Sequence, residues 1–579
     1  MKKLSLILLA AMTVSGMVAC DREEITPNDS NTALTPEALA ARNNQKTNET
    51  GDNNNGSGEE KKEWKIVNSS DERSDDEISV KINAGTVYQT IEGFGASDCW
   101  LGEYVGKNYT GKEKIAKLLF SQDTLANGAL EGIGLSMWRV NLGAGSAEQK
   151  EPMFETAKMA ECYLKDDGKT YDWTKCKGQQ FFMTEAKKYG VEKMLLFSNS
   201  PLYFWTKNGK TYSESGKNSN LESDNYEKFA EYMAEVSKHF NEAGIPIDYI
   251  SPVNEPQYSW NIDKDHKDRN QEGCGWQNSE VATLINLLND KLGDQKTKIV
   301  IPEAAKWSAT YSSSSVAGCN DGTLNQISEF FGNGDNSLKN LTHVHKVVGV
   351  HSYWEDKGWT ELESYRKTAY NAADAAGIGL WQTEWSLLGD YGVIDEYPGL
   401  DDAKYIDNAL YLSRVIYSDL VWANVSSWSY WTVFGQERWS QKNRFYLIKV
   451  GSNVSDNVDL NDEDVSTGGN WADNVNLYVL GNYSRFIRPG YKRVDMTCGN
   501  DKSFFGSAFL SGDGNTLVMV YTNLTDSKVR IKPQISGFEG NTKFLRFVTD
   551  ETKKLERTNM SDGNMVIPAK SVTTVVYCK

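Results

Sequence analysis

Two segments of the chain each deliver a glutamate directly after an apolar run. One reads Ile250-Ser251-Pro252-Val253-Asn254-Glu255-Pro256, the other Leu380-Trp381-Gln382-Thr383-Glu384-Trp385-Ser386. Two carboxyl groups in different local environments hold different pKa values, so one can give a proton while the other attacks or activates water. Cleavage of a glycosidic bond is the chemistry that uses such a pair. A lone Asn-Glu-Pro is common, and a glutamate at a strand end is more often a salt-bridge partner than a catalyst. The combination carries the reading: the two lie at the fourth and seventh of eight countable strands, with Asn254 and aromatic residues beside them.

Those strands must position the pair. The candidates are Thr90–Gly95, Leu135–Gly143, Lys193–Ser200, Tyr249–Pro256, Lys298–Glu303, Val347–Tyr353, Leu380–Trp385 and Val425–Val433. Several are continuous apolar runs, such as Val347-Val348-Gly349-Val350, as expected of strands covered on both faces. Helical patterns alternate with them. In Asn225–Phe240 the residues Tyr226, Phe229, Ala230, Met233 and Val236 recur at helical spacing, and Ala403–Leu420 is a second example. Strand–helix repeats of this kind predict an α/β fold, a (β/α)₈ TIM barrel, whose functional groups gather where the strands end. Beyond Leu477–Ile487 the period changes to short alternating segments: Gly506–Leu510, Thr516–Asn523, Val529–Ile535, Lys543–Val548 and Val572–Cys578. These predict a C-terminal antiparallel β-sandwich side domain, for which Glu77–Lys81 is a candidate extra strand from before the barrel.

Five stretches carry a family resemblance. They are Ile91-Glu92-Gly93-Phe94-Gly95-Ala96-Ser97, Gly134-Leu135-Ser136-Met137-Trp138-Arg139-Val140-Asn141, Val253-Asn254-Glu255-Pro256-Gln257, Trp381-Gln382-Thr383-Glu384, and Leu480-Gly481-Asn482-Tyr483-Ser484-Arg485-Phe486-Ile487-Arg488-Pro489-Gly490. In this order they resemble glycoside hydrolase family 30, from about residue 78 onward. The resemblance implies a retaining O-glycosyl hydrolase, with Glu255 as acid/base and Glu384 as nucleophile, acting on internal β-linkages of a polysaccharide. The loop Tyr258-Ser259-Trp260 with Gln271-Glu272-Gly273 is similar to the endo-β-1,6-galactanase branch; xylanase and β-1,6-glucanase activities of the same family are the alternatives. A glucuronate-reading xylanase would want a basic group, for which Arg438 and Lys442 are placed after the eighth strand. From another class, a surface glycan-binding lipoprotein without catalysis stays open, as does transfer or elimination on the same barrel.

Further residues follow by position. Asn254 is placed to hydrogen-bond a substrate hydroxyl, or to form the turn before Pro256. Arg139, on the second strand, is expected to orient Glu384 and hold it ionised, or to be a structural ion pair. His351 and Tyr353, closing the sixth strand, face the cleft, unless His351 is a satisfied core histidine. Trp205 and Trp431 are candidate sugar platforms, with Trp100 and Trp260 behind them; packing is the plain alternative for each, since most of the 17 Trp and 28 Tyr must fill cores.

Composition excludes other classes. The net charge of −17 and the lack of a basic patch argue against nucleic acid. Much of the acidity lies in residues 21–77, with 15 acids against 7 bases. That segment is poor in apolar residues and reads as a disordered linker. Before it, Lys2-Lys3, the apolar run Leu4–Met12 and Met17-Val18-Ala19-Cys20 form a signal peptide too short to span a membrane. Cys20 resembles the acylated cysteine of a bacterial lipoprotein, the alternative being plain secretion with cleavage near Ala19. Asp21-Arg22-Glu23-Glu24 resembles the export signals of Bacteroidetes surface lipoproteins. The expected organisation is therefore signal peptide 1–20, linker 21–77, barrel 78–488 and side domain 489–579. The protein is expected at the outer membrane or cell surface, touching the membrane through its N-terminal lipid alone, as a monomer. Acylation of Cys20 leaves seven of the eight cysteines. Chain proximity suggests Cys162–Cys176, Cys274–Cys319 and Cys498–Cys578, with Cys99 free. Five histidines and no zinc-type spacing predict no metal, and no cofactor is expected.

Overall fold

The computed structural model describes residues 77–125, 128–213, 217–262, 270–389, 391–453, 458, 462–499, 502–540, 543–558 and 565–579. The expected signal peptide with Cys20 and nearly all of the expected linker lie outside the described residues. After β1 (Glu77–Thr90), eight strands close a barrel: β2 (Gly93–Ser97), β3 (Met137–Asn141), β4 (Lys193–Phe197), β5 (Tyr249–Ser251), β6 (Lys298–Ala304), β7 (Val344–His351), β8 (Gly379–Glu384) and β9 (Ser427–Tyr430). Each pairs in parallel with the next, and β9 returns to β2. Met137, Leu195, Phe197, Tyr249, Val300, Val347 and Trp381 fill the interior, so the barrel is a packed core with its working surface at the strand ends. The helices expected at 225–240 and 403–420 run over Tyr226–Glu242 and Tyr405–Trp422. Phe229, Ala230, Met233 and Val236 of the first are buried on its barrel-facing side.

A small sheet not anticipated from the sequence follows β9, formed by β10 (Phe434–Gly435), β11 (Ile448–Val450) and β12 (Trp471–Asp473). Then come β13 (Lys492–Cys498), β14 (Phe504–Leu510), β15 (Thr516–Asn523), β16 (Val529–Ser536), β17 (Lys543–Thr549), β18 (Glu556–Thr558), β19 (Met565–Ile567) and β20 (Ser571–Cys578), which with β1 form one sheet ordered β18-β17-β20-β15-β14-β13-β1-β16-β19. The two faces of β15 separate by the period of a strand. Leu517, Met519 and Tyr521 enter the sheet's own core with Val80, Ile531 and Ile567, while Val518 and Val520 join the main core with the barrel. One pairing departs from the antiparallel expectation: β1 runs parallel to β16. Parallel neighbours need a long crossover, and here the entire barrel is inserted between them.

The three cysteine pairs suggested by chain proximity do not form, and no disulfide joins any of the seven described cysteines. Cys162 Sγ donates to the Leu164 carbonyl at 3.4 Å, Cys176 Sγ to the Glu161 carbonyl at 3.6 Å, and Cys274 Sγ accepts from the Asn220 N–H at 3.2 Å. Cys498 on β13 and Cys578 on β20 are kept apart by β14 and β15. At roughly 4.8 Å per strand, that exceeds the Cα separation a disulfide spans.

Candidate active site

The mouth of the barrel gathers three glutamates from three strand ends. Glu384 closes β8, Glu255 follows β5, and Glu303 stands near the end of β6. The first two are the residues singled out from the sequence; the third is not among them. Carboxylate oxygens of Glu255 and Glu384 and a ring nitrogen of His351 all lie within 4.8 Å of one another. Such closeness fits the short spacing of a retaining pair, about 5–5.5 Å, and leaves no room for the water of an inverting one at about 6.5–9.5 Å.

His351, fully buried at the end of β7, links the glutamates. Its Nδ1 lies 2.9 Å from Glu255 Oε1 and 3.7 Å from Glu384 Oε1, and its Nε2 lies 3.1 Å from Glu303 Oε2. Burial alone would lower its pKa, but Glu384, Glu255 and Glu303 outweigh it and raise the imidazole to about 10. Arg139 supplies the second cation. Its Nη1 donates to Glu384 Oε2 at 2.9 Å, its Nη2 reaches Glu303 Oε2 at 3.5 Å, and its guanidinium carbon sits 3.6 Å from the centre of the Phe197 ring. Arg139 thus contacts Glu384 directly, but the expected hold on its ionised form is outweighed by burial. Burial pushes the Glu384 carboxyl above its ordinary value, against the pull of His351 and Arg139. Glu303 goes the other way: burial opposes ionisation, but Arg139, His351 and the Ser251 hydroxyl at 2.5 Å hold it down to about 2. Thr383 also donates to it. Glu303 is therefore a fixed negative charge that keeps His351 and Arg139 in place.

The remaining sequence candidates divide. Tyr353 donates its hydroxyl to Glu384 Oε1 at 3.1 Å. Asn254 is buried, and its Oδ1 has no partner among the described residues, which leaves an acceptor beside Glu255 for a ligand hydroxyl. Trp431 packs edge-on against Trp100 at 5.2 Å and Phe197 at 6.3 Å, contiguous with the ring that carries Arg139. Trp205 is a correction. It is buried in the main core beside Phe204 and Tyr232, because the short turn Tyr203–Trp205 directs it toward the helix Tyr226–Glu242 and away from the mouth. Arg438 and Lys442 are both engaged: Arg438 pairs with Glu155 at 2.5 Å, and Lys442 Nζ donates to the carbonyls of Leu400, Asp401 and Ala403.

Beside Glu255 opens a cavity of about 390 Å³, lined by Tyr258, Trp260, Lys306, Gly318, Tyr353, Trp354 and Leu388. Backbone strain collects around it: Glu255, Trp260, Glu303 and Trp354 have φ of 41°, 52°, 58° and 64°. Non-glycine residues hold the left-handed region at a cost of about 1–3 kcal/mol each, a feature concentrated at functional sites. Glu255, His351 and Glu384 have a spacing that a cation could bridge. A histidine held protonated between two carboxylates offers no lone pair to a metal, so the imidazolium and guanidinium are themselves the positive charge of this site. The sequence held one signal for Glu303, a third apolar run, Ile299-Val300-Ile301, ending in a glutamate; nothing marked Trp354 or Lys306.

Residues 77–441 match the family described as O-Glycosyl hydrolase family 30. An endo-β-1,6-galactanase of Hypocrea rufa is 26% identical over 435 residues, covering 72% of this chain and 76% of that protein. Among solved structures, a conserved exported protein from Bacteroides fragilis is 29% identical with a TM-score of 0.76, covering 86% of this chain and 100% of its own. The catalytic domain of a family 30 xylanase C from Talaromyces cellulolyticus shares the fold at 20% identity and a TM-score of 0.60, over 86% of this chain and 100% of that one. The match spans most of the chain and takes in the barrel from β2 to β9: the protein belongs to glycoside hydrolase family 30 and is a retaining O-glycosyl hydrolase.

Proposed function

We propose that the protein is an endo-acting β-1,6-galactanase in which Glu384 is the nucleophile and Glu255 the acid/base. The observation that carries the residue assignment is the approach of Glu255 and Glu384 oxygens to within 4.8 Å across one buried imidazolium. The substrate rests on the 26% identity to a protein of that activity. In the first step Glu384 attacks the anomeric carbon, while Glu255 protonates the departing glycosidic oxygen. In the second, Glu255 takes a proton from water, which attacks the anomeric carbon and releases Glu384 from the glycosyl ester. Arg139 and Tyr353 hold one oxygen each of Glu384, leaving little rotation to freeze on the way to the transition state.

Charge supports the same reading. Three carboxyls face two cations, so the buried cluster is one positive charge short. Uptake of one proton by the cluster balances it, as acid catalysis by one member of the pair needs. Asn254, with its unpartnered Oδ1, is suited to accept from a sugar hydroxyl next to the bond being cut. The test is a product-size assay of residues 77–579 on debranched β-1,6-galactan, β-1,6-glucan, glucuronoxylan and xylan. Short oligosaccharides from the galactan alone support the proposal. Release from xylan or glucan instead would overturn the substrate while keeping the chemistry.

The location of the enzyme is also a proposal: a monomer, exported and anchored at the outer membrane or cell surface through acylated Cys20. Metabolic labelling with an alkyne fatty acid should mark the wild type and not Cys20→Ser. Equal labelling of both would refute it.

A further inference from the structure

The cavity beside the catalytic pair is asymmetric. Glu255 lines it and Glu384 does not, so if Glu255 protonates the departing oxygen, the cavity lies on the side of the leaving sugar. Its walls are aromatic and its shape is built in. Trp260 donates its indole N–H to the backbone carbonyl of Glu255 at 3.2 Å. A Cβ at Gly273 would come within 2.5 Å of the indole, so that glycine makes the seat possible. Trp354 stands half-exposed at the rim with 50% of its surface in solvent. Faces of this kind suit stacking on a pyranose ring.

One wall carries a charge. Lys306 Nζ donates to the Ala317 carbonyl at 2.6 Å, which leaves two of its N–H groups for other acceptors. Among the described residues no carboxylate forms an ion pair with it. Glu355 is close enough to feel its field but is already held by the Ser308 N–H at 2.9 Å and by the Ser308 hydroxyl. Gly318 keeps the approach open: a Cβ there would sit 3.7 Å from Lys306 Nζ and 3.8 Å from Tyr258 Cε1, with φ at +79°. Lys442, by contrast, spends its three N–H groups on protein carbonyls, and Arg438 is paired with Glu155.

We infer that this cavity is the leaving-group subsite and that Lys306 makes it select a sugar unit bearing a carboxylate, that is, a uronic acid or a residue substituted with one. The inference rests on the proposed function, that is, on Glu255 being the acid and β-1,6-galactan the substrate. An ammonium without a protein carboxylate gains a charge-assisted contact from such a unit and none from a neutral one.

The experiment compares kcat/KM for two oligosaccharides that differ in one group: a β-1,6-galactooligosaccharide whose leaving unit carries a glucuronosyl carboxylate, and its methyl ester. Wild type should prefer the acid by about tenfold, and added salt should shrink that preference. In Lys306→Met and Lys306→Gln the ratio should fall toward one, and in Lys306→Glu it should invert. What is read is the ratio within each variant, so a general loss of folded enzyme does not imitate the effect. Hydrolysis of both substrates with a ratio indifferent to Lys306 would overturn this inference alone. Failure of wild type on both substrates would overturn it together with the reading on which it rests.

Discussion

The strand β7 carries two histidines, one toward each end of the barrel, and each meets a glutamate. At the lower end His345 Nε2 lies 2.9 Å from Glu92 Oε2, and Trp381 Nε1 and Ser426 Oγ donate to Glu92 Oε1 at 3.0 and 2.7 Å. The rings of Tyr249, His345 and Trp381 pack around them at 4.8–5.4 Å. Here one carboxylate has three donors. At the upper end three carboxyls share two cations, the backbone of Glu255 and Glu303 is left-handed, and Asn254 Oδ1 and Arg139 Nε have no partner among the described residues. The same pair of residue types closes the barrel below and leaves unmet demands above. Buried polar groups are normally satisfied, and a cluster that is not is arranged for something that arrives later.

The largest expected effect would sharpen that contrast. Glu384→Gln should lower kcat by at least about 10⁴-fold in enzyme that is still folded at the assay temperature; a folded variant with near-normal turnover sinks the nucleophile. Glu255→Ala should lose about 10²–10⁴-fold on natural glycan and far less on aryl glycosides, whose leaving groups need no proton. Equal losses on both substrates would break the acid role. Glu303→Gln should cost both functions at once. Removing one partner from a buried ionic cluster destabilises by about 3–5 kcal/mol, and the remaining cations would no longer be held, so activity should fall about 10²-fold by chemical denaturation-matched assay. If Glu303→Gln keeps full activity, Glu303 is not part of the machinery.

The smallest effect belongs to the lower end. Glu92→Gln should cost about 1–2 kcal/mol of stability, with turnover within about threefold of wild type when the folded fraction is equal. A large catalytic loss there would dissolve the distinction between the two ends. The pH dependence separates them as well. Burial opposes ionisation of Glu92, but His345, Trp381 and Ser426 leave its pKa depressed, so its contribution is present above the ordinary carboxyl value and lost as pH falls through the folded one. At the upper end Glu303 behaves alike, losing its contribution between 4.5 and about 2. His351 has the opposite sign: its contribution is complete below 6.5 and lost as pH rises toward about 10. The melting difference between wild type and Glu92→Gln should therefore shrink toward acid.

The eight barrel strands were legible because parallel strands covered on both faces must be apolar throughout, and Val344–His351 or Lys298–Ala304 cannot be mistaken for half-exposed ribbon. The catalytic pair was legible because it ends such runs. Glu303 ends one too, but its role comes from sharing His351 and Arg139 with residues distant in the chain, and that closure has no local spacing. Trp205 misled for a related reason: a tryptophan after a strand can turn toward solvent or core, and only the packing of Tyr232 decides. The cysteine pairs failed because nearness along the chain says nothing of which strands will separate two thiols.

One pairing has a consequence for how the molecule is made. β1 lies between β13 and β16, holding seven paired positions with β16 over Glu77–Asn83. During synthesis it emerges before the barrel, and its neighbours follow only after roughly 400 residues. Until then fourteen residues of strand wait without partners, the kind of long-delayed contact that slows folding and leaves an edge open to strangers. It also means that a fragment beginning at 489 would lack an inner strand of its own sheet. The side sheet is completed by a strand from before the barrel meeting strands from after it, and cutting between barrel and sheet yields a wounded half on each side.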